Sequence, residues 1–143
     1  TMNPTRDVPV FNRLMAKVGR DPQKTPVSCW IAAYSGGQPS GWGGAMGPSQ
    51  FIPSTWVLFE DRIENITGAS MADPWNPYHA ITATALYLED LGAVAGNETA
   101  ERNAACRYYS GRACSASSAG AGYGNAVMKK LYAMQADIDK LQR

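Results

Sequence analysis

The sequence lacks any long apolar segment and any marked excess of charge of one sign. No apolar run approaches the roughly 20 residues that a membrane-spanning helix needs, so we expect no transmembrane segment. The chain has 13 Lys and Arg residues against 12 Asp and Glu residues, and its formal net charge is +1. Because surfaces that bind nucleic acid are strongly basic, this balance predicts no nucleic-acid partner.

Histidine and cysteine are also scarce, which limits metal chemistry. The single histidine is His79, and the three cysteines include no close Cys-x-x-Cys pair. We therefore expect no zinc site and no cofactor. Cys106 and Cys114 flank a short segment that a disulfide could close, which would leave Cys29 without a partner in this chain. The alternative is three reduced, buried cysteines.

Strand signals are scarce, and the spacing of apolar residues predicts a mainly α fold. Helices are predicted over residues 7–19, 54–67, 77–91, 98–109 and 124–141, with proline and glycine near several of their ends. In the second of these the predicted inner stripe is Trp56, Phe59, Ile63 and Ile66. Residues 21–43 indicate a long ordered loop or a short hairpin. Residues 111–122, rich in Ala, Ser and Gly, predict a flexible connector.

The predicted terminal helix, residues 124–141, carries apolar residues at alternating spacings of four and three: Val127, Leu131, Met134, Ile138 and Leu141. This is the pattern of a heptad seam, here little more than two heptads long. Two interpretations remain open. The seam packs against the body of its own domain, or it pairs with a second copy of the chain.

The segment from Gly43 to Trp56 has the most informative composition in the chain. It reads Gly-Gly-Ala-Met-Gly-Pro-Ser-Gln-Phe-Ile-Pro-Ser-Thr-Trp. Glycine allows close approach of the backbone to a ligand or a positive φ, and proline fixes the turns. Gln50 can both donate and accept hydrogen bonds, as the hydroxyl and acetamido groups of a sugar require. The segment predicts a rigid wall of a groove, followed by a helix.

This segment resembles the Gly-Ala-Met-Gly-x-x-Gln-Phe-x-Pro-Ser-(Thr/Ser)-(Trp/Tyr) signature of lytic transglycosylases, the lysozyme-like enzymes that cut peptidoglycan. Two further family motifs are similar to Ala-Asp-Pro-Trp-Asn-Pro at residues 72–77 and to Ala-Ala-Cys-Arg-Tyr-Tyr-Ser-Gly at residues 104–111. Pro-Thr-Arg-Asp at residues 4–7 and Thr-Pro-Val-Ser-Cys at residues 25–29 resemble one bacterial subgroup. The resemblance implies a goose-lysozyme or lytic-transglycosylase type of helical domain, with residues 1–143 as one domain.

The resemblance also implies roles for particular residues. The substrate-binding wall would consist of Gly44, Ala45, Met46, Gln50 and Phe51, with backbone amides of residues 44–47 near acetamido groups. Met46 and Phe51 have an alternative interpretation as ordinary core residues. Tyr108 matches the family tyrosine that approaches the catalytic carboxylate, and Tyr109 is the fallback for that position and a further candidate binding residue.

The implied reaction cleaves the β-1,4 bond between N-acetylmuramic acid and N-acetylglucosamine and gives a 1,6-anhydro product. In the family, one Glu upstream of the glycine-rich segment, in a Glu-Ser/Thr-x-x-Gly motif, is first the general acid and then the base. Here no Glu precedes Glu60, and the only carboxylates ahead of Gly44 are Asp7 and Asp21. We therefore expect the acid to lie outside this chain, on a missing amino-terminal segment or a separate chain. This carboxyl-terminal portion of the domain would then be inactive alone.

Two other functions remain open. The missing Glu also fits an inactive relative that binds peptidoglycan glycan strands without cutting them, which is the alternative to the enzyme. The heptad seam would suit a structural component of a cell-envelope or phage assembly. The resemblance implies an exported protein, located in the cell envelope or outside the cell, of bacterial or phage origin.

Overall fold

The computed structural model describes residues 2–30, 33–35, 38–115 and 119–142. The chain divides into two compact units, Thr1–Thr84 and Ala85–Arg143. Helices predominate, which confirms the predicted mainly α class. The lysozyme-like arrangement of the helices and their grouping into a single domain stay predictions.

The first unit begins with helix α1, Val8–Val18. Phe11, Leu14 and Met15 are buried on one face of α1, as their helical spacing predicts. The later elements of the unit are the strands β1 (Ala33–Ser35) and β2 (Gln38–Ser40), the helices α2 (Pro53–Trp56) and α3 (Glu60–Thr67), and the start of α4 (Pro77–Asp90).

Residues 21–43 contain a short hairpin, one of the two structures predicted there. β1 and β2 pair antiparallel, with Ala33 opposite Ser40. An isolated antiparallel bridge joins Val27 to Met46 further along the same two chain segments. The hairpin therefore leads directly into the glycine-rich segment.

The prediction of one continuous helix over residues 54–67 was wrong. The amides of Leu58 and Phe59 bond three residues back, to the carbonyls of Thr55 and Trp56, at 3.2 and 2.9 Å. These tighter bonds end α2 and form a turn before α3 begins. Trp56 and Phe59 are buried as predicted, with Ile63, but Ile66 is 57% exposed and does not belong to the inner stripe.

The second unit contains the end of α4, α5 (Glu98–Ser110) and α6 (Ala119–Leu141). The side chain of Asn97 accepts a hydrogen bond from the amide of Ala100 and so caps α5. Cys106, on α5, forms the predicted disulfide with Cys114, while Cys29 is free and exposed. Closing a loop of this size stabilises the folded state by about 2.5 kcal/mol.

Helix α6 begins at Ala119, five residues before its predicted start, inside the stretch predicted as a flexible connector. Gly120 and Gly124 lie where α5 and α6 touch, and a Cβ at Gly124 would come within 2.5 Å of the Cys106 sulfur. These glycines therefore allow α5 and α6 to pack closely. Composition alone does not distinguish such glycines from those of a flexible loop.

The heptad seam is mostly exposed. Val127, its first residue, is partly buried, and the buried residue beside it, Met128, does not belong to the seam. Leu131, Met134, Ile138 and Leu141 are 40–88% exposed. Both interpretations of the seam therefore stay open.

Candidate functional site

The glycine-rich segment starts with a bulge in the hairpin. The Ser28 amide donates to the carbonyl of Ala45 at 2.8 Å, and the Ser28 carbonyl accepts from the amide of Gly44 at 2.9 Å. Two residues thus face one, and Gly44 has a φ of 97°, as a glycine-led β-bulge requires. The hydroxyl of Ser28 accepts a third bond, from the Ala45 amide, at 2.9 Å. This side chain fixes where the strand bends.

The bulge also bears on the predicted role of the backbone amides. The amides of Gly44 and Ala45 both donate to Ser28, and the amide of Met46 donates to the carbonyl of Phe51 at 2.8 Å. In this structure these three N–H groups are therefore used inside the chain. Gly44 and Ala45 shape the wall through their backbone conformation.

A tight turn follows the bulge and presents Gln50. Met46 and Phe51 form its closing bridge and are buried, at 1% and 4% exposure. Gln50 is exposed and has a φ of 56°, an uncommon value for a residue with a side chain. Its Nε2 atom donates to the carbonyl of Gly47 at 2.7 Å, which holds the amide in place. Gln50 is thus the member of the predicted wall in this unit whose side chain faces solvent.

The Ala-Asp-Pro-Trp-Asn-Pro motif, residues 72–77, packs against this turn. Gly47 lies against the carbonyl of Pro74, so closely that a Cβ on Gly47 would overlap with it. Ser49, two residues on, donates from its hydroxyl to the carbonyl of Ala80 at 2.9 Å. Two segments that lie far apart in sequence therefore form one scaffold.

The scaffold is itself held by polar contacts of Asp73. Its carboxylate accepts from the Trp75 amide at 2.9 Å and pairs with Arg20 at 2.8 Å. The Arg20 guanidinium also lies over the Trp75 ring, 5.0 Å from its centroid. The Asp73 amide donates to Nδ1 of the buried His79 at 3.0 Å. His79 is therefore a structural acceptor rather than a free imidazole.

Aromatic packing fixes the exit of the turn. The Phe51 ring contacts those of Trp56 and Phe59, with centroids 6.0 and 5.9 Å apart. These contacts are of the tilted, edge-to-face kind that stabilises aromatic pairs. Phe51 and Met46 thus act as core residues here, and their predicted contact with a ligand stays a prediction.

Two carboxylates of the first unit are held in the ionised form. Asp7 is fully buried. Burial raises its pKa, but hydrogen bonds from the side chain of Arg6 and from Ser54 outweigh burial, so the pKa lies below its usual value. The pKa of Glu64 is also lowered, chiefly by its hydrogen bond from Lys17, 2.8 Å away. A general acid needs the opposite shift.

Tyr108 and Tyr109 belong to the second unit. The Tyr108 ring contacts that of Tyr87, with centroids 5.1 Å apart. Tyr109 is 59% exposed and stacks on Tyr123, with centroids 4.8 Å apart and planes 13° from parallel. The structure brings the predicted residues of the first unit together around one turn. It places the two tyrosines in two separate aromatic pairs of the second unit.

No part in the candidate site was predicted for Asp7, Ser28 or Arg20. Ser28 places the bulge, Arg20 holds Asp73, and Asp7 accepts from the amide of Ser54 at 3.2 Å at the start of α2. The sequence did hold a hint of two of them, because Asp7 and Ser28 lie in the two segments that resemble one bacterial subgroup of the family. Their partners are 17 and 47 positions away in sequence, so the contacts themselves were not predictable.

Comparisons of the chain with protein-family models, with curated proteins and with solved structures found no match. Within the residues that the structure describes, no group of His, Cys, Asp and Glu side chains has the arrangement of a metal site. None of the described helices is both long enough and apolar enough to cross a lipid bilayer.

Proposed function

We propose that this chain forms the glycan-binding wall of a peptidoglycan lytic transglycosylase whose general acid lies outside these 143 residues. The observation that carries the proposal is the exposed amide of Gln50, fixed on a turn between a bulged hairpin and a buried scaffold. The alternative is a module that binds the same glycan without cutting it.

The backbone at Gln50 supports a functional role for its side chain. A residue with a side chain in the left-handed region costs roughly 1–3 kcal/mol, and such strain concentrates at functional sites. The bond from Nε2 to Gly47 offsets part of this cost and orients the amide. Within the described part of the chain, Oε1 of Gln50 has no hydrogen-bond donor, so it can accept from the N–H or hydroxyl of a sugar.

Two carboxylates of the first unit, those of Asp7 and Glu64, are unsuited to the role of general acid. Asp7 and Glu64 are hydrogen-bonded by cationic side chains and have lowered pKa values, so neither holds a proton near neutral pH. Cleavage of a glycosidic bond needs a protonated carboxyl group in a setting that raises its pKa. In the proposed enzyme, the turn that carries Gln50 binds and orients the glycan strand, and a different segment supplies the acid.

The disulfide agrees with the proposed location. Disulfides form and persist in oxidising compartments such as the periplasm and the cell surface. Cys106 and Cys114 form one here. We therefore propose an exported protein that meets peptidoglycan in the envelope or outside the cell.

Co-sedimentation with purified peptidoglycan sacculi tests the binding. We expect the chain to pellet with sacculi, and Gln50→Ala to weaken binding about tenfold, because a hydrogen bond to the sugar is lost. Gln23→Ala is the matched control, since Gln23 is an exposed Gln on a different loop. A chain that stays in the supernatant would contradict both the enzyme and the binding module.

Muropeptide analysis separates those two functions. Sacculi are digested with the natural gene product, and the released fragments are examined by mass spectrometry for 1,6-anhydromuramyl ends. Release of these ends supports the transglycosylase. Binding to sacculi without any such product would leave the binding module as the function.

A further inference from the structure

Two tryptophans on the hairpin are unusually exposed. Trp30 is 42% exposed and Trp42 is 50% exposed. The other two tryptophans of the first unit are less accessible, because Trp56 is fully buried and Trp75 is partly buried. Tryptophan is highly buried on average, so two exposed rings within 13 positions need a reason.

The Trp30 ring is held rather than free. Its indole N–H donates to the carbonyl of Gly41 at 3.1 Å. Its backbone also touches Gly43, where a Cβ would lie 2.7 Å from the Trp30 amide nitrogen. The ring is therefore tied to the neighbouring segment at residues that carry no side chain.

The surroundings of Trp42 also leave its ring uncovered. Gly41 and Gly43 flank it in sequence, so neither neighbour has a side chain that could shield it. Both are fixed in place, since Gly41 accepts the bond from Trp30 and Gly43 forms a bridge with Met2. A backbone that is already fixed loses little further entropy when the rings on it bind a ligand.

Charge distribution narrows the kind of ligand. The 35 residues from Thr25 to Phe59 include no Asp, Glu, Lys, Arg or His. A surface for nucleic acid or another polyanion would need cations here. Uncharged pyranose rings fit better, because they offer C–H groups on one face that can pack on an indole ring.

We propose that Trp30 and Trp42 form a saccharide-binding surface on the hairpin, in addition to the turn that carries Gln50. The choice of an amino-sugar polymer as its ligand rests on the function proposed above. Trp42 precedes Met46 by four residues, or about 13 Å of extended chain, with the bulge at Gly44 between them. A glycan strand that reaches the turn therefore has further rings available to pack on the hairpin.

Chemical-shift titration of the four indole N–H groups tests this surface directly. The probes are soluble β-1,4-linked N-acetylglucosamine oligomers, a trimer and a hexamer. We expect the signals of Trp30 and Trp42 to shift and the signal of the buried Trp56 to stay fixed. We also expect the hexamer to bind about tenfold more tightly than the trimer, because it reaches more rings.

Variants assign the gain in affinity to the hairpin. Trp42→Ala and Trp30→Ala should each reduce the roughly tenfold advantage of the hexamer to about threefold, because each variant leaves one of the two rings. The control is Leu58→Ala, which removes a side chain of the same unit that is 70% exposed. Circular dichroism checks that each variant is folded. If a variant does not fold, the chemical-shift titration of the unaltered chain still tests the proposal.

The outcomes separate this surface from the proposed function. If Gln50→Ala weakens binding but neither indole signal shifts, the hairpin surface is wrong and the wall at Gln50 stands. If both signals shift but sacculi yield no 1,6-anhydro ends, the surface stands and the enzyme does not. A polyanion, or a protein partner, that binds at the hairpin while the oligomers do not would overturn the saccharide assignment.

Discussion

Glycine residues have different structural roles in the two units of this chain. In the first unit, Gly44 and Gly47 have positive φ values and shape an irregular bulge and turn. In the second unit, Gly120 and Gly124 lie inside the regular helix α6, where they let it approach α5 closely. The same residue type therefore builds a presented loop in one unit and a tight helix pair in the other.

The comparison shows where shape comes from in each unit. The turn in the first unit depends on contacts between distant segments, such as Gly47 on Pro74 and Ser28 on the bulge. The helix pair in the second unit depends on contacts between α5 and α6, which follow one another in the chain, and on a disulfide that closes a short loop. All four tryptophans lie in the first unit, so their fluorescence reports the unfolding of that unit.

The largest effect is expected from Gly47→Ala. An alanine there would need a strained φ and would overlap with the carbonyl of Pro74, so we expect a loss of about 3 kcal/mol or more. Gly68→Ala is the matched control, because Gly68 has a φ of 70° but nothing within 4 Å. It should cost only about 1 kcal/mol. Tryptophan fluorescence in urea measures both, and equal losses would mean that the Pro74 contact is unimportant.

An intermediate effect distinguishes two glycines of α6. Gly122→Ala should stabilise the chain by about 0.5–1 kcal/mol, because alanine favours a helix and nothing lies within 4 Å. Gly124→Ala should instead destabilise it by roughly 1–2 kcal/mol, since its Cβ would lie 2.5 Å from the Cys106 sulfur. Far-UV circular dichroism during thermal unfolding measures the difference. Stabilisation by both variants would show that α5 and α6 need no close contact.

The smallest effect is a pH dependence in the first unit. Because the pKa of Asp7 is lower in the folded chain than in the unfolded chain, its carboxylate stabilises folding above about pH 4. That contribution is lost as the pH falls through the folded-state pKa. Asp7→Asn should therefore flatten the fall in the free energy of unfolding as the pH drops below about 4.

Two features sharpen this last measurement. Glu64 also has a lowered pKa and will leave part of the pH dependence in Asp7→Asn. Asp61→Asn, at an exposed position of α3, is the control for removing a carboxylate that is not buried. If Asp7→Asn and unaltered protein lose stability in parallel on acidification, the buried Asp7 network does not stabilise the fold.

Elements with a strong local signal were predicted well. Pro77, at the first position of α4, and Asn97, before α5, place the starts of those helices correctly, because capping depends on a few adjacent residues. The disulfide was one of two open alternatives, favoured because only Cys106 and Cys114 lie close in sequence. The break between α2 and α3 was not predicted. Trp56 and Phe59 both pack on Phe51, a residue outside the two helices, so the apolar spacing within residues 54–67 did not reveal the break.

The sequence predicted only the local features of the candidate site. The glycine-rich composition correctly placed a shaped turn around Gln50, because glycine and proline act through local backbone geometry. It left open whether Met46 lines a groove or belongs to the core, where the structure buries it. It did not predict that Ser28 and Pro74 would hold the turn. Those facts depend on segments that meet only in the folded chain.

By itself, the sequence determined the helical class, several helix boundaries and the position of the unusual turn, because caps, proline, glycine and apolar spacing act over a few residues. Only the tertiary structure decided which glycines bend the chain and which permit close packing. It also decided that Gln50 faces solvent and that Asp7 is buried and ionised. Burial and close contact are properties of the space between distant segments, and no local pattern encodes them.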